Sequence, residues 1–413
     1  MKSTKILLLI CLLSTTLLHA QENVIEQVLK AQPTYFKQLT DNPSKYKLQI
    51  LYTQIDRDAD NHAHFTTHAY RVDAQEYFYP ASTVKLAASV LALEKINRLK
   101  IDKSTTFQTL KNRPTQVEIL TDTNAANGKP SIEHYIKKIL LVSDNEAYNR
   151  LYEFLGQQDF NKTMASKGFE GVRFTHRLQT SIPLIENQYT NPVQFLNEHG
   201  ELVWQQKEKF NKKQIIAESP IILGKGIMND SDRIIPHPVN FSFKNAYPLQ
   251  AQHDFLKRLM FPGSFKKSEQ FKLTPKDYSF IYRYMSEYPT ESQYPNYSTD
   301  STIGPAYCKF LYYGGGKKAV MNPNVRIFNK VGDAYGFLLD NAYFVDFKNG
   351  VEFILTATIY CNEDEIFNDD QYDYEDIGFP FFTHLGEVFY QKELNRPKKN
   401  LPNLDYLKFN YAD

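Results

Sequence analysis

The sequence predicts a mixed chain of the α+β class. Two runs rich in β-branched and aromatic residues, 46–56 and 63–72, meet across the polar turn Arg57-Asp58-Ala59-Asp60-Asn61, a strand–turn–strand pattern. A second pair, 334–347 and 351–360, meets near Asn349-Gly350, a dipeptide suited to the positive φ angles of a hairpin turn. Between these pairs, apolar residues recur at helical spacing in 86–96, 131–141 and 146–155.

Taken in order, residues 1–20 read as a secretory signal peptide. Lys2 and Lys5 precede the apolar run 6–18, and the small residue Ala20 marks the expected cleavage point. The run is short for a membrane span. Ile10 stands before Cys11 where a lipoprotein signal needs a small residue, so a lipid anchor is not expected. The expectation is therefore export, to a periplasm or the exterior, with no membrane span. Residues 23–31 predict an amphipathic helix. His62, His64 and His68 fall at period two on the second strand; with no cysteine or carboxylate at ligand spacing they read as an exposed strand face, and no metal is expected. Helices are predicted again at 254–260 and 381–394. Residues 192–250 show no clean period and read as an ordered cover over a cleft. The acidic run 363–376 reads as a solvated connection.

Composition excludes several functions. Hydrophobic residues make up 42% and charged residues 23%, the balance of a globular protein, and the formal net charge of +1 gives no basic surface for nucleic acid. The three cysteines, one of them in the leader, cannot make a disulfide framework. Cys308 and Cys361 are either one disulfide or two buried thiols. No phosphate loop, dinucleotide fingerprint or Gly-x-Ser-x-Gly elbow is present, and no cofactor is expected.

The chemistry centres on Tyr79-Pro80-Ala81-Ser82-Thr83-Val84-Lys85. Ser82 and Lys85, three apart where a helix begins, share a face. A serine hydroxyl needs a neighbouring base to become a nucleophile. A lysine can be that base if burial and nearby cations lower its pKa, and the helix N-terminus favours a developing oxyanion. Ser44/Lys47 and Ser264/Lys267 repeat the spacing but open no apolar helix and read as loops. Val142-Ser143-Asp144-Asn145 lies between two predicted helices, where it could cap or could present Ser143 and Asn145 to the Ser82 face. Lys330-Val331-Gly332 follows the apolar run 325–328, which places Lys330 on a strand, with Gly332 allowing close approach to the backbone.

In this order, Ser82/Lys85, Ser143/Asn145 and Lys330/Gly332 resemble the signature of the penicillin-recognising serine hydrolases, above all the class A β-lactamases. The resemblance covers most of 21–413. It implies one α+β hydrolase domain: an antiparallel sheet flanked by terminal helices (21–75 and 320–413) and a helical subdomain (76–319) carrying an insertion near 192–250. It implies Ser82 as acyl acceptor, Lys85 as its base, Ser143 as proton relay and Asn145 as the group that orients Lys85 and substrate. Lys330 would bind substrate with Gly332, and the backbone N–H groups of Ser82 and Asp333 would form the oxyanion hole. Such a protein acts on a small or peptide-like acyl substrate, as a monomer, without cofactor or nucleic acid.

Three departures from the family pattern stand out. Val331 replaces a hydroxyl residue that helps bind a β-lactam carboxylate. Matching Arg177-Leu178 and Pro183 to the family's loop puts Ile182 where a glutamate activates the deacylating water, leaving Glu186 as the nearby carboxylate. The interval from Ser143 to Lys330 is far longer than the family's. The expected activity is β-lactamase-type hydrolysis through an acyl-enzyme, with slow deacylation. The alternatives are a D-Ala-D-Ala peptidase, an amidase or esterase on another substrate, or a binding protein on the same scaffold.

Overall fold

The computed structural model of the protein describes residues 23–411; the leader expected at 1–20, Cys11 included, lies outside the described residues. The side chain of Asn23 accepts from the Ile25 N–H to cap α1 (Val24–Lys30). Helix α2 (Pro33–Asp41) has Pro33 at its start, where a missing N–H leaves no bond unmade. Strands β1 (Gln49–Arg57) and β2 (Ala63–Tyr70) pair antiparallel, Ile50 opposite Tyr70. A tight turn at Ala81–Thr83 opens α3 (Val84–Leu99). There follow β3 (Thr106–Thr109), α4 (Ile132–Val142), α5 (Asn145–Leu155) and α6 (Gln157–Ser166). Six short strands come next: β4 (Val193–Leu196), β5 (Leu202–Gln206), β6 (Ile222–Leu223), β7 (Gly226–Met228), β8 (Ile234–Ile235) and β9 (Val239–Asn240). The chain closes with α7 (Leu249–Met260), α8 (Pro275–Ser286), β10 (Val325–Ala334), β11 (Phe337–Asp346), β12 (Val351–Tyr360), β13 (Ile366–Phe367) and α9 (Phe379–Asn395).

The main sheet is antiparallel throughout, in the order β10-β11-β12-β1-β2. Every residue of β11 and β12 is buried, because both faces are covered. Alternation divides the two strands between two cores. Leu338, Ala342, Phe344, Phe353 and Leu355 join Ile25, Leu29, Phe36, Leu385 and Phe389 of the terminal helices. Phe337, Leu339, Tyr343 and Ile354 face the other way, toward the core that holds α3, α4, α5 and α7. The outer strand β2 alternates between half-buried and exposed, as an edge strand with one wet face should. The other edge, β10, borders the helical part of the molecule, and the site lies there.

Three expectations from the sequence are corrected. Residues 192–250 do not cover the cleft. Strands β4 and β5 instead extend β3 into a three-stranded sheet, and Phe195 and Trp204 pack on Phe107 and Phe154. Strands this short cannot display a readable period. The acidic stretch after β12 is more than a solvated connection: Asn368, Asp370, Tyr372 and Glu375 line the cleft. The histidines do not converge on one set of ligands. His62 precedes β2 and lies with Asp58 and Asp60, carboxylates the sequence reading passed over, while His68 stacks on Tyr52. Cys308 and Cys361 are separate buried thiols.

Candidate active site

The nucleophile candidate sits on a strained turn. Ala81, just before it, has φ 46°, a left-handed value costly for any residue with a Cβ. The Thr83 hydroxyl donates to the Pro80 carbonyl at 2.7 Å and closes the turn. Ser82 itself makes no capping bond, and its hydroxyl has no partner among the described residues. It lines a cleft of about 760 Å³. Six of the thirteen non-glycine residues with positive φ among the described residues line this same cleft: Ala81, Ser143, Gln179, Tyr335, Asn368 and Asp370. Backbone strain is thus concentrated where side chains must be aimed at a ligand.

Lys85, the second residue of α3 and one helical turn after Ser82, is fully buried. Its ammonium donates to Asn145 Oδ1 at 2.7 Å, to Ser143 Oγ at 3.2 Å and to the Ser143 carbonyl. Burial, and after it the neighbouring charge of Lys330, holds its pKa well below that of an ordinary lysine. A neutral amine placed there can accept a proton. The Ser143-Asp144-Asn145 triplet divides its work. Asp144 caps α5, accepting from the Ala147 N–H at 2.7 Å. Ser143, at φ 59°, ends α4 in the left-handed cap conformation. The outer two side chains are left free to face Lys85.

Lys330 arrives from β10, donating to Ser143 Oγ at 2.8 Å and to the Val331 carbonyl at 2.9 Å. Burial lowers its pKa as well. Behind it, Lys309 donates to Asn329 Oδ1 at 2.6 Å, and Asn329 donates to Asp340 Oδ1 at 2.8 Å, which fixes the strand. Gly332 is required by contact: a Cβ there would lie 2.9 Å from both the Ser82 nitrogen and the Pro80 oxygen. The β10 backbone therefore runs directly against the Ser82 turn, and Asp333 follows at the rim of the cleft. Ser82, Lys85, Ser143, Asn145, Lys330, Gly332 and Asp333 are all brought together.

Glu186 is not brought to this site. Its carboxylate accepts from Arg113 at 2.8 and 2.9 Å and from the Thr115 hydroxyl at 2.6 Å. Those bonds push its pKa down to about 2, the state of a committed ion pair rather than a base. Ile182 is half-buried and does not line the cleft. The residue facing Asn145 is Gln179, which accepts from Asn145 Nδ2 at 2.7 Å. Gln179 is held there by what precedes it: Arg177 pairs with Glu153 at 2.7 Å, and Leu178 exchanges two backbone bonds with the Asn149 side chain at 2.7 and 2.9 Å. The Arg177-Leu178 anchor was visible in the sequence, and the residue directly after it was the signal to follow. The sequence reading also missed the outer wall, where Tyr307, Phe310 and Gly314-Gly315-Gly316 face Tyr372 and Phe379. The run of three glycines was its one sequence signal.

The antiparallel sheet, the helices beside it and this constellation resemble those of a β-lactamase-like serine hydrolase. Residues 36–219 match the model of a β-lactamase enzyme family. Among solved structures, the chain is similar to a β-lactamase from Burkholderia phymatum, at 14% identity and TM-score 0.47, over 88% of this chain and 98% of that one. It is also similar to a β-lactamase from Sphaerobacter thermophilus DSM 20745, at 11% and 0.47, over 89% and 98%. PBP-A is similar at 13% and 0.48, over 89% and 94%. No curated protein sequence matches the chain.

Proposed function

We propose that the protein is an exported active-site serine hydrolase that forms an acyl-enzyme at Ser82, reacts with β-lactams, and releases the acyl group slowly. The observation that carries this reading is the buried Lys85 amine, shared between Ser143 and Asn145 under a serine hydroxyl that opens into the cleft. In this reading Lys85 takes the Ser82 proton as Oγ attacks the carbonyl carbon. The oxyanion is held by the backbone N–H groups of Ser82 and Asp333, each donor worth about 3 kcal/mol. Ser143, oriented by Lys330, then hands its proton to the leaving nitrogen and receives from Lys85 the one taken from Ser82, and the C–N bond breaks.

Hydrolysis of the ester needs a base beside the attacking water. Gln179 is a carboxamide and cannot accept the proton, and Glu186 is tied to Arg113. Lys85 is left as the one base near the ester, so release is slow. Export is inferred from Lys2, Lys5 and the apolar run 6–18, followed by Ala20. Among the described residues no helix is long and apolar enough to cross a membrane. A D-Ala-D-Ala peptidase shares the acylation half of this chemistry and is the second reading, favoured by the missing carboxylate at Gln179. The test is intact-mass spectrometry after exposure to β-lactams and to D-Ala-D-Ala esters. One acyl group on the native chain, absent from Ser82→Ala, is expected; an adduct that persists in the variant contradicts the assignment.

A further inference from the structure

A second cavity, of about 950 Å³, shares no lining residue with the catalytic cleft. Arg173 lines it, and the Arg173 side chain makes no hydrogen bond or ion pair among the described residues. Its Nε and Nη2 atoms are buried without a partner. Nη1 is also unpaired but reaches solvent, so it is the nitrogen a ligand meets first. The backbone fixes the residue in place: Arg173 and Ala246 exchange N–H···O bonds of 2.9 and 2.8 Å. Taking a guanidinium out of water without a counter-charge is costly. Burial accordingly lowers its pKa, against the opposing influence of Tyr77 and Glu218.

Other arginines of the chain show what such a group binds. Arg57 presents Nε and Nη2 to the two carboxylate oxygens of Glu352 at 2.6 and 2.8 Å. Arg113 presents the same two atoms to Glu186 at 2.9 and 2.8 Å. A carboxylate matches the guanidinium fork in spacing and in plane. Arg173 has no such acid. Of the two glutamates that line the cavity, Glu76 is held by Arg71 at 3.7 Å and by Gln49 at 3.4 Å, and Glu218 is exposed and makes no ion pair with Arg173. Two exposed lysines, Lys162 and Lys213, line the same cavity, so its cations outnumber its unengaged acids. Between the charges the lining is apolar, with Val172, Ile215, Ile216 and Ile221. We infer that this cavity is a binding site for a small organic carboxylate with an apolar body, the carboxylate received by Arg173 and the body by the isoleucines. The site stands apart from the acyl-enzyme reading and does not depend on it.

The test measures melting temperature and, by calorimetry, affinity on the full chain with three probes: cyclohexanecarboxylate, its uncharged counterpart cyclohexanecarboxamide, and inorganic phosphate. Cyclohexanecarboxylate should raise the melting temperature, as a ligand of the folded state does. It should bind about tenfold more tightly than the carboxamide, the scale of one contact to a charged group. Arg173→Gln should lose that advantage. Should this variant not fold, Arg173→Met, of similar length and uncharged, takes its place. Glu218→Gln removes the one unengaged acid and should tighten carboxylate binding. Equal affinity for carboxylate and carboxamide, no binding at millimolar concentration, tighter binding of phosphate, or an advantage that survives the loss of Arg173 would overturn the proposal. So would carboxylate binding seen only in Glu218→Gln, because Glu218 would then be the partner of Arg173 in the native chain.

Discussion

On the side of the cleft built by α3, the α4–α5 turn and β10, each polar side chain beneath Ser82 has a partner suited to moving a proton. Lys85 touches Ser143 and Asn145, and Lys330 touches Ser143. On the side built by residues 177–190, the carboxylate is tied to Arg113 and the position facing Asn145 holds an amide. The first side can activate a hydroxyl and protonate a leaving group. The second supplies no base for water. In the proposed reading, the two halves of a hydrolytic cycle are separable in space, and this chain is equipped for one of them.

The largest expected effect is on the first side. Lys85→Ala should slow acylation of Ser82 by about a thousandfold, within the range for loss of a general base, as measured by stopped-flow labelling with a fluorescent penicillin. An unchanged rate would remove Lys85 from the mechanism. The same side sets the pH dependence. Only the neutral Lys85 amine accepts a proton, so acylation should rise as pH climbs through its depressed pKa, then fall as Lys330 loses the charge that holds Ser143. Lys330→Ala removes a positive neighbour whose charge lowers the Lys85 pKa. That pKa should therefore rise, and the acid limb should move to higher pH.

On the second side, Gln179→Glu places a carboxylate where the structure puts the amide. Release of a penicilloyl adduct should quicken by about a hundredfold. The adduct lifetime measures it, and no change would mean that a water does not fit at this position. Smaller still, Val331→Thr restores a hydroxyl, and KM for penicillins should fall about tenfold. The least effect belongs to Glu186→Gln, which should leave both kinetic phases alone. Its ion pair with Arg113 is partly exposed, so the stability loss should be small. A large loss of turnover in that variant would reverse the account of the two sides.

Much of the first side was legible in the sequence because it is written locally. Ser82 and Lys85 are one helical turn apart, Ser143 and Asn145 flank a cap, and Gly332 marks the close approach of strand to turn. The central strands declared themselves through Asn349-Gly350 and long apolar runs. The second side was misread because a loop has no period: its register is set by Arg177 on Glu153 and by Asn149 on the Leu178 backbone, contacts made by residues distant in sequence. Aligning by Pro183 pointed to Ile182, whereas those anchors select Gln179. The insertion 192–250 was placed over the cleft for want of a visible strand pattern, and its two- to five-residue strands could not have shown one. The true outer wall is made of loops on either side of the sheet strands, around Tyr307 and Tyr372, brought together only by the fold.

The central claim, that acylation is built and release is not, is tested most directly by rapid-quench kinetics with a chromogenic β-lactam. The account predicts a burst approaching one equivalent per chain, with the acyl group on Ser82, followed by a steady state slower by orders of magnitude. Linear turnover from the first moments, with no adduct at Ser82 in the quenched samples, would contradict it.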